Sequence, residues 1–254
     1  MTIDYDRQAA KWQRDEPKHH SDFCGRPEVL ALCERLCRGK AVLDVGCGEG
    51  YFARKLASIA GSVVGVDLSM GMVRHAVEME RQEQGKTQRR PQRIHYVVGD
   101  ALRAPFRDGT FDVCVGNYVT NYVPPAELPA FYQELARVTN ERGGCVLLMP
   151  HPLLELSTDY GDAIRYVADE IGGYDYVKSR GEFFRVALGT VGGDTLEAGY
   201  YHSTLEDHMR ALSSAGWNVT GLREPVFPEA VAERYPVFKR MGGKVACMIL
   251  IGKM

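Results

Sequence analysis

Between residues 41 and 150, short apolar runs alternate with stretches of helical period. "AVLDV" leads into a helical pattern from Tyr51, and "SVVGVD" into another from Ser69 to about Glu83. A basic, turn-rich connector, "RQEQGKTQRRPQR", precedes the strands "IHYVVGD" and "FDVCVGNY". A helix over Ala126–Thr139 and a turn at "ERGG" then lead into the strand "CVLLMP". Continuous apolar strands suit burial on both faces, and their alternation with helices predicts a parallel sheet joined by crossovers. The first forty residues read as helical, with a break around Glu16–Pro27.

After His151 the rhythm changes. A helix is predicted around Asp162–Glu170, then a hairpin of "EFFRVAL" and "TLEAGYYH" around the glycine-rich turn "GTVGGD". A helix near Leu205–Ala215, the strand "NVTGLREP", a short helical stretch and a last strand "KVACMILIGK" complete the chain. Those last two strands, joined without a long crossover, suit an antiparallel pair.

Composition narrows the class. The 254 residues fit one α/β domain with an elaboration. A net charge of −2 gives no general reason to expect nucleic acid or an anionic membrane. No apolar stretch approaches the roughly 20 residues of a membrane span, and the polar N-terminus lacks a signal peptide's apolar core. Seven cysteines without framework spacing suit a reducing cytoplasm. Cys33 and Cys37 have no second pair to complete a zinc site, so no metal is expected.

The chemistry is concentrated at "VLDVGCGEG". Gly46, Gly48 and Gly50 stand between a strand and a helix, where a ligand lying against the backbone needs glycine. A related GxGxxG loop binds dinucleotides, but Asp44 and Glu49 put acids where a pyrophosphate would lie. A cationic ligand with an amino-acid tail fits better: its ammonium meets Asp44, and its carboxylate takes backbone N–H groups. Asp67, at the tip of the second strand, suits two ribose hydroxyls. Asp100, at the tip of the third, suits an adenine amine, with Val98 and Ala101 against the ring. For Asp67 or Asp100 alone, a turn cap explains the residue equally well.

"VLDVGCGEG", "VVGVDLS", "VVGDA", "FDVCVGNYV" and "ERGGCVLLMP" resemble, in order and spacing, the successive motifs of class I S-adenosylmethionine-dependent methyltransferases. The resemblance runs from Ala41 to Pro150 and points to the small-molecule branch that contains the ubiquinone and menaquinone methyltransferases. "HSTLEDHMRALSSAGWNVTGLREP" is similar to the region near the end of many members, and "YDRQAAKW" to their YDxxAxxY-type opening. The resemblance implies a Rossmann-like, doubly wound α/β fold with a seven-stranded sheet, mostly parallel with one antiparallel strand. It implies a single domain, 1–254, divided into a helical lid (1–40), a cofactor-binding core (41–150), a substrate-side insert (151–204) and C-terminal elements that complete the sheet (205–254). S-adenosyl-L-methionine is the implied cofactor. Gly46, Cys47, Gly48 and Gly50 would wrap its methionine part, Asp67 its ribose and Asp100 its adenine amine. Leu68, Ala101 and Leu102 would flank the ring, with Asn117 and Tyr5 close by.

The expected reaction is methyl transfer to the oxygen or nitrogen of a small organic acceptor by a cytoplasmic enzyme. His151 leaves the fifth strand at the ligand edge and is the first candidate base, although it also suits a turn before Pro152. His202 is the second, as a substrate contact or a helix cap. Tyr118, Tyr122 and Tyr201, with Tyr200, Phe183 and Phe184, suit the lining of an apolar acceptor pocket, while Phe183, Phe184 and Tyr200 equally suit the hairpin's own core. His19 and His20 lie in the N-terminal segment that either folds over the cofactor or, as the favoured reading of the pair, leaves them solvated. The cluster Arg81–Arg93 reads as a solvated connector rather than a nucleic-acid site. An RNA or protein methyltransferase, or a protein of this fold that binds the cofactor without methylating, is the rival reading. Monomer and homodimer stay equally open.

Overall fold

The apolar runs become the strands of a seven-stranded sheet in a computed structural model, which describes residues 3–86, 94–153, 159–166 and 174–254. Its strands are β1 (Ala41–Val45), β2 (Ser62–Asp67), β3 (Ile94–Val98), β4 (Phe111–Asn117), β5 (Thr139–Pro150), β9 (Asn218–Arg223) and β10 (Cys247–Lys253). A three-stranded antiparallel sheet holds β6 (Ile164–Tyr166), β7 (Phe183–Gly189) and β8 (Thr195–Tyr201). The large sheet has the order β3-β2-β1-β4-β5-β10-β9. β10 runs antiparallel to both of its neighbours, as expected for one reversed strand, and lies inside the sheet rather than at its edge. The chain reverses between β1 and β4, so the carboxyl ends of β1, β2 and β4 open on one crevice. That switch point is where open α/β sheets bind ligands.

The helices are α1 (Tyr5–Trp12), α2 (His20–Phe23), α3 (Gly25–Leu36), α4 (Tyr51–Leu56), α5 (Met70–Lys86), α6 (Leu128–Val138), α7 (Leu205–Ser214) and α8 (Glu229–Arg234). In α6 the apolar positions 128, 131, 132, 135 and 138 recur at helical period, and all five are buried. They pack with Leu212 and Trp217 on one face of the sheet, while Val29, Leu32, Phe52 and Leu56 of α3 and α4 cover the other. The hairpin β7–β8 alternates, burying Phe184, Val186 and Leu188 against Leu196, Ala198 and Tyr200.

Four expectations are corrected. The helix predicted at Asp162–Glu170 is, where described, a 3-10 turn (Gly161–Ala163) followed by β6, which pairs with β7 and sets Ile164 opposite Leu188; residues 167–170 lie outside the described residues. "ERGG" is a bulge inside β5 rather than a free turn: it lies between Thr139, opposite Phe111, and Gly144, opposite Val113. The chain there is crowded: a Cβ on Gly143 would sit 2.3 Å from the Thr139 methyl. The break at Glu16–Pro27 is shorter than expected, because Pro27 falls in the first turn of α3, where no intrahelical N–H is needed. The basic connector begins as the last turns of α5, and its remainder, 87–93, lies outside the described residues.

Candidate active site

A cavity of about 670 Å³ opens over the carboxyl ends of β1, β2 and β4. Its wall contains Tyr5, Asp44, Gly46, Cys47, Gly48, Asp67, Leu68, Asp100, Ala101, Leu102, Asn117, Tyr118, Tyr122 and Tyr201. Fourteen positions picked from the sequence thus share one space. Val98 does not line it and is exposed. Gly50 is also absent from the wall. Its φ of +80° starts α4 in the left-handed region, and a Cβ there would strike the Tyr96 hydroxyl at 2.5 Å. Gly48, with φ of +54°, has nothing within 4 Å of a Cβ and presents bare backbone to the cavity.

The loop is braced from β2. The N–H groups of Gly46 and Cys47 donate to the Val66 carbonyl at 2.8 and 3.1 Å, and Gly50 N–H donates to the Cys47 carbonyl at 3.0 Å. Gly48 N–H donates to Asp67 Oδ2 at 2.8 Å. These donors, expected to serve a ligand carboxylate, are already taken. Asp67 Oδ1 accepts from Ser69 N–H at 2.9 Å. Burial lifts the Asp67 carboxyl above its usual range, against the pull of these two donors. Asp100 Oδ1 accepts from Leu102 N–H at 2.9 Å, forming the turn that aims the third strand end.

Asp44 is 1% exposed, and its Oδ2 has no hydrogen-bond partner among the described residues. Burial raises its carboxyl to about 8; Arg26 pulls it down, and Asp67 and Glu49 push it further up. Both side-chain polar atoms of buried Asn117 are likewise without partners. Unpaired buried polar atoms facing a cavity are costly and call for a ligand that supplies the missing partners. Tyr118, next in the chain, is held at φ of +63° and is the sole non-glycine residue with positive φ among the described residues. Such a backbone costs on the order of 1–3 kcal/mol and clusters at functional sites.

The N-terminal segment closes the cavity through buried charges. Arg14 Nη1 donates to Glu49 Oε1 at 2.9 Å, and Arg14 Nε lies 3.0 Å from Asp22 Oδ2. Arg54 Nη2 donates to the other Glu49 oxygen at 3.0 Å, and Arg26 Nη1 to Asp22 Oδ1 at 3.1 Å. Glu49 is therefore a paired structural acid, neutralised by two arginines. Although burial opposes it, Asp22 is held well below the usual carboxylate range by His19, Arg14 and Arg26. Nearer the mouth, the Tyr5 hydroxyl donates to the Tyr122 hydroxyl at 2.8 Å. Asp6 accepts from Ser69 Oγ and Gly71 N–H at 2.6 and 2.7 Å, capping α5 beside Asp67.

The histidines change places. His19 and His20, expected in solvent, are 2% and 5% exposed and line the cavity. His151 and His202 do not line it. His151 is held by Glu224, with Nε2 2.7 Å from Oε1, while its Nδ1 accepts from Leu153 N–H. His202 Nε2 bonds the Tyr176 carbonyl at 2.8 Å, and its ring packs against Tyr174 and Tyr176. His202 instead lines a small neighbouring pocket that shares Asn121, Pro150, Tyr200 and Tyr201 with the cavity wall. Arg14, Arg26, His19 and His20 were not legible as site residues. The one signal was Glu49: an acid among glycines at a helix start demands a buried cation.

The comparisons with known proteins agree with this geometry. Residues 42–143 match the family model described as a methyltransferase domain. The chain is 33% identical over 132 residues to the malonyl-[acyl-carrier protein] O-methyltransferase of Serratia marcescens, covering 52% of this chain and 46% of that protein. It is 38% identical over 109 residues to the demethylmenaquinone methyltransferase of Beutenbergia cavernae, covering 43% and 40%. The matched region thus spans less than half the length of these relatives. Among solved structures, an S-adenosylmethionine-dependent methyltransferase from Mesorhizobium loti superposes with a TM-score of 0.61 at 17% identity, over 89% of this chain and 96% of that one. A geranyl diphosphate C-methyltransferase from Streptomyces coelicolor superposes with a TM-score of 0.60 at 16% identity, over 90% and 77%. Residues 42–143 are therefore similar to a methyltransferase domain, and the chain has the fold of the S-adenosylmethionine-dependent methyltransferases on which it superposes.

Proposed function

We propose that the protein binds S-adenosyl-L-methionine in this cavity and methylates a small organic acceptor. The observation that carries the reading is the ordered set of acids at three successive strand ends on one cavity wall, with Asp44 Oδ2 left without a partner among the described residues. Asp44 receives the ligand ammonium, which supplies the charge its buried carboxyl lacks. Arg26 takes the ligand carboxylate in place of the occupied loop N–H groups: it lines the cavity, interacts with Asp44, and its Nε has no partner among the described residues. Asp67 accepts from the ribose hydroxyls with its remaining lone pairs, Asp100 accepts from the adenine amine, and Leu68, Ala101 and Leu102 flank the ring.

When bound, the cofactor supplies a methyl group on a positively charged sulfur, already strongly electrophilic. The chain's own task is alignment and exclusion of water. Orientation of this kind supplies on the order of 7–11 kcal/mol in favourable cases. Asn117 and Tyr118 sit where the strand end meets the acceptor side, and α1 closes the mouth through Tyr5 and Asp6. Residues 1–40 then act as the cover, 41–150 as the cofactor core and 151–204 as the acceptor wall. Equilibrium binding tests the reading: S-adenosylmethionine should bind and NAD should not, and S-adenosylhomocysteine should accumulate once a methyl acceptor is supplied. Binding of NAD in its place would overturn it.

A further inference from the structure

A second, smaller cavity of about 20 Å³ adjoins the main one and has Asn121, Pro150, Tyr200 and Tyr201 in common with it. It lies where the core meets the insert. Thr120 and Asn121 open the 3-10 turn Thr120–Tyr122, just after the strained Tyr118, while His202 and Ser203 follow β8. The backbone on the insert side is fixed: His202 N–H donates to the Glu182 carbonyl, and Gly181 N–H to the His202 carbonyl, both at 2.9 Å. The two histidines of the wall have partners elsewhere. His202 Nε2 donates to the Tyr176 carbonyl, and His208 Nδ1 lies 2.9 Å from the Tyr132 hydroxyl. The smaller polar groups do not. Thr120 Oγ1, Ser203 Oγ and Asn121 Oδ1 are buried with no partner among the described residues, and Thr120 and Ser203 are only 2% and 6% exposed. Among the described residues no Asp, Glu, Lys or Arg stands in this wall. Burial lowers both histidines, which keeps them neutral near pH 7.

These groups prescribe their ligand. A hydroxyl both donates and accepts, whereas Asn121 Oδ1 only accepts, so the ligand atom must itself donate. A wall without ionised groups disfavours an ion, which would be buried with no counter-charge. The volume admits about one heavy atom: a water needs roughly 10–15 Å³ and two to four polar partners. We propose that this cavity is a seat for one neutral O–H oxygen, held by Thr120 Oγ1, Asn121 Oδ1 and Ser203 Oγ. Its source is a water, or the hydroxyl of an alcohol entering from the main cavity past Tyr200 and Tyr201; the second source rests on the acceptor reading above. The seat joins two parts of the chain. Thr120 belongs to the turn after β4 and Ser203 to the insert's end, so an oxygen shared between them pins the acceptor wall to the strand end that carries Asn117 and Tyr118. An acceptor with a hydroxyl at this place exchanges it for the water and keeps the hydrogen bonds. One that pushes a methyl group in leaves all three polar atoms unpaired.

The test uses the ligand-free full chain, so its outcome is independent of cofactor binding. Thr120→Val keeps the side chain's shape and removes the hydroxyl. With the seat filled, a hydrogen bond is lost and Tm should fall by about 2–4 °C; were the seat dry, the change would remove an unpaired buried hydroxyl and Tm would rise. Ser203→Ala, on the other side of the seat, should show the same sign. High-resolution crystals should show one oxygen within about 3.0 Å of all three atoms. Crystals soaked in 1-butanol and in 2-butanone then identify the source. A butanol hydroxyl in the seat makes it an acceptor subsite, and an unmoved oxygen makes it the place of a resident water. A rise in Tm in either variant, a seat with no oxygen, or displacement of the oxygen by bromide or by the butanone carbonyl would overturn the proposal.

Discussion

Asp44 links ligand binding to stability in a way that can be worked through. Its carboxyl is pushed from an ordinary 3.8 to about 8 by burial. Below pH 4 both folded and unfolded chains carry the proton, and no stability is lost. Between pH 4 and 8 the unfolded chain ionises while the folded one does not, so stability falls by about 1.4 kcal/mol per pH unit. At pH 7 the loss is about 4 kcal/mol on this linkage. Asp44→Asn removes the titration but leaves a buried amide with an unpaired atom, which takes back about 1–3 kcal/mol. The ligand-free variant should therefore be more stable than the wild type at pH 7, by about 1–3 kcal/mol, and should lose the excess at pH 4. Its Tm at pH 7 should rise by roughly 2–10 °C for a chain of this length. The same variant should bind S-adenosylmethionine at least tenfold more weakly, because a neutral amide replaces the ammonium's counter-charge. Urea unfolding at pH 4 and 7, with calorimetric binding on the same samples, measures both sides. A variant less stable at pH 7 with unchanged affinity would refute the reasoning.

Three further outcomes follow from the same geometry. Asp67→Ala should weaken cofactor binding by at least about 1 kcal/mol, the scale of hydrogen bonds lost from a charged group, as read by calorimetry. Asp6→Ala removes the cap that ties α1 to α5, so amide exchange across residues 5–12 should quicken without ligand and slow only partly when ligand is added. His151→Gln should keep turnover within tenfold of wild type, since this side chain is tied to Glu224 outside the cavity; a loss of a hundredfold or more would restore it as the base.

The parallel core was legible because its signals are local. "AVLDV", "SVVGVD" and "CVLLM" are short apolar runs with no polar face, which only double burial explains, and the glycines and strand-end acids follow at fixed places. The insert was less so. Ile164 and Tyr166 join a sheet edge through pairing with Leu188 and Val186, twenty or more residues on, and tertiary pairing overrode the local helical reading. The closing charge network was hidden for the same reason: Arg14 meets Glu49 across 35 positions, and neither residue's polarity announces burial. His151 and His202 were rightly located along the chain, but the direction of a side chain leaving a strand end is decided by neighbours such as Glu224 and the Tyr176 carbonyl. The buried pair His19–His20 sits in a segment whose composition reads as solvent-facing.

The central claim is that this cavity holds S-adenosylmethionine with Asp44 as the counter-charge to its ammonium. Titrating the cofactor at pH 7 in two buffers of different ionisation enthalpy measures the protons released on binding. Asp44, mostly protonated in the free protein, must ionise to receive the ammonium, so close to one proton should leave per cofactor bound, and Asp44→Asn should abolish the release. Binding with no proton released, or with the same release from the Asn variant, would contradict the assignment.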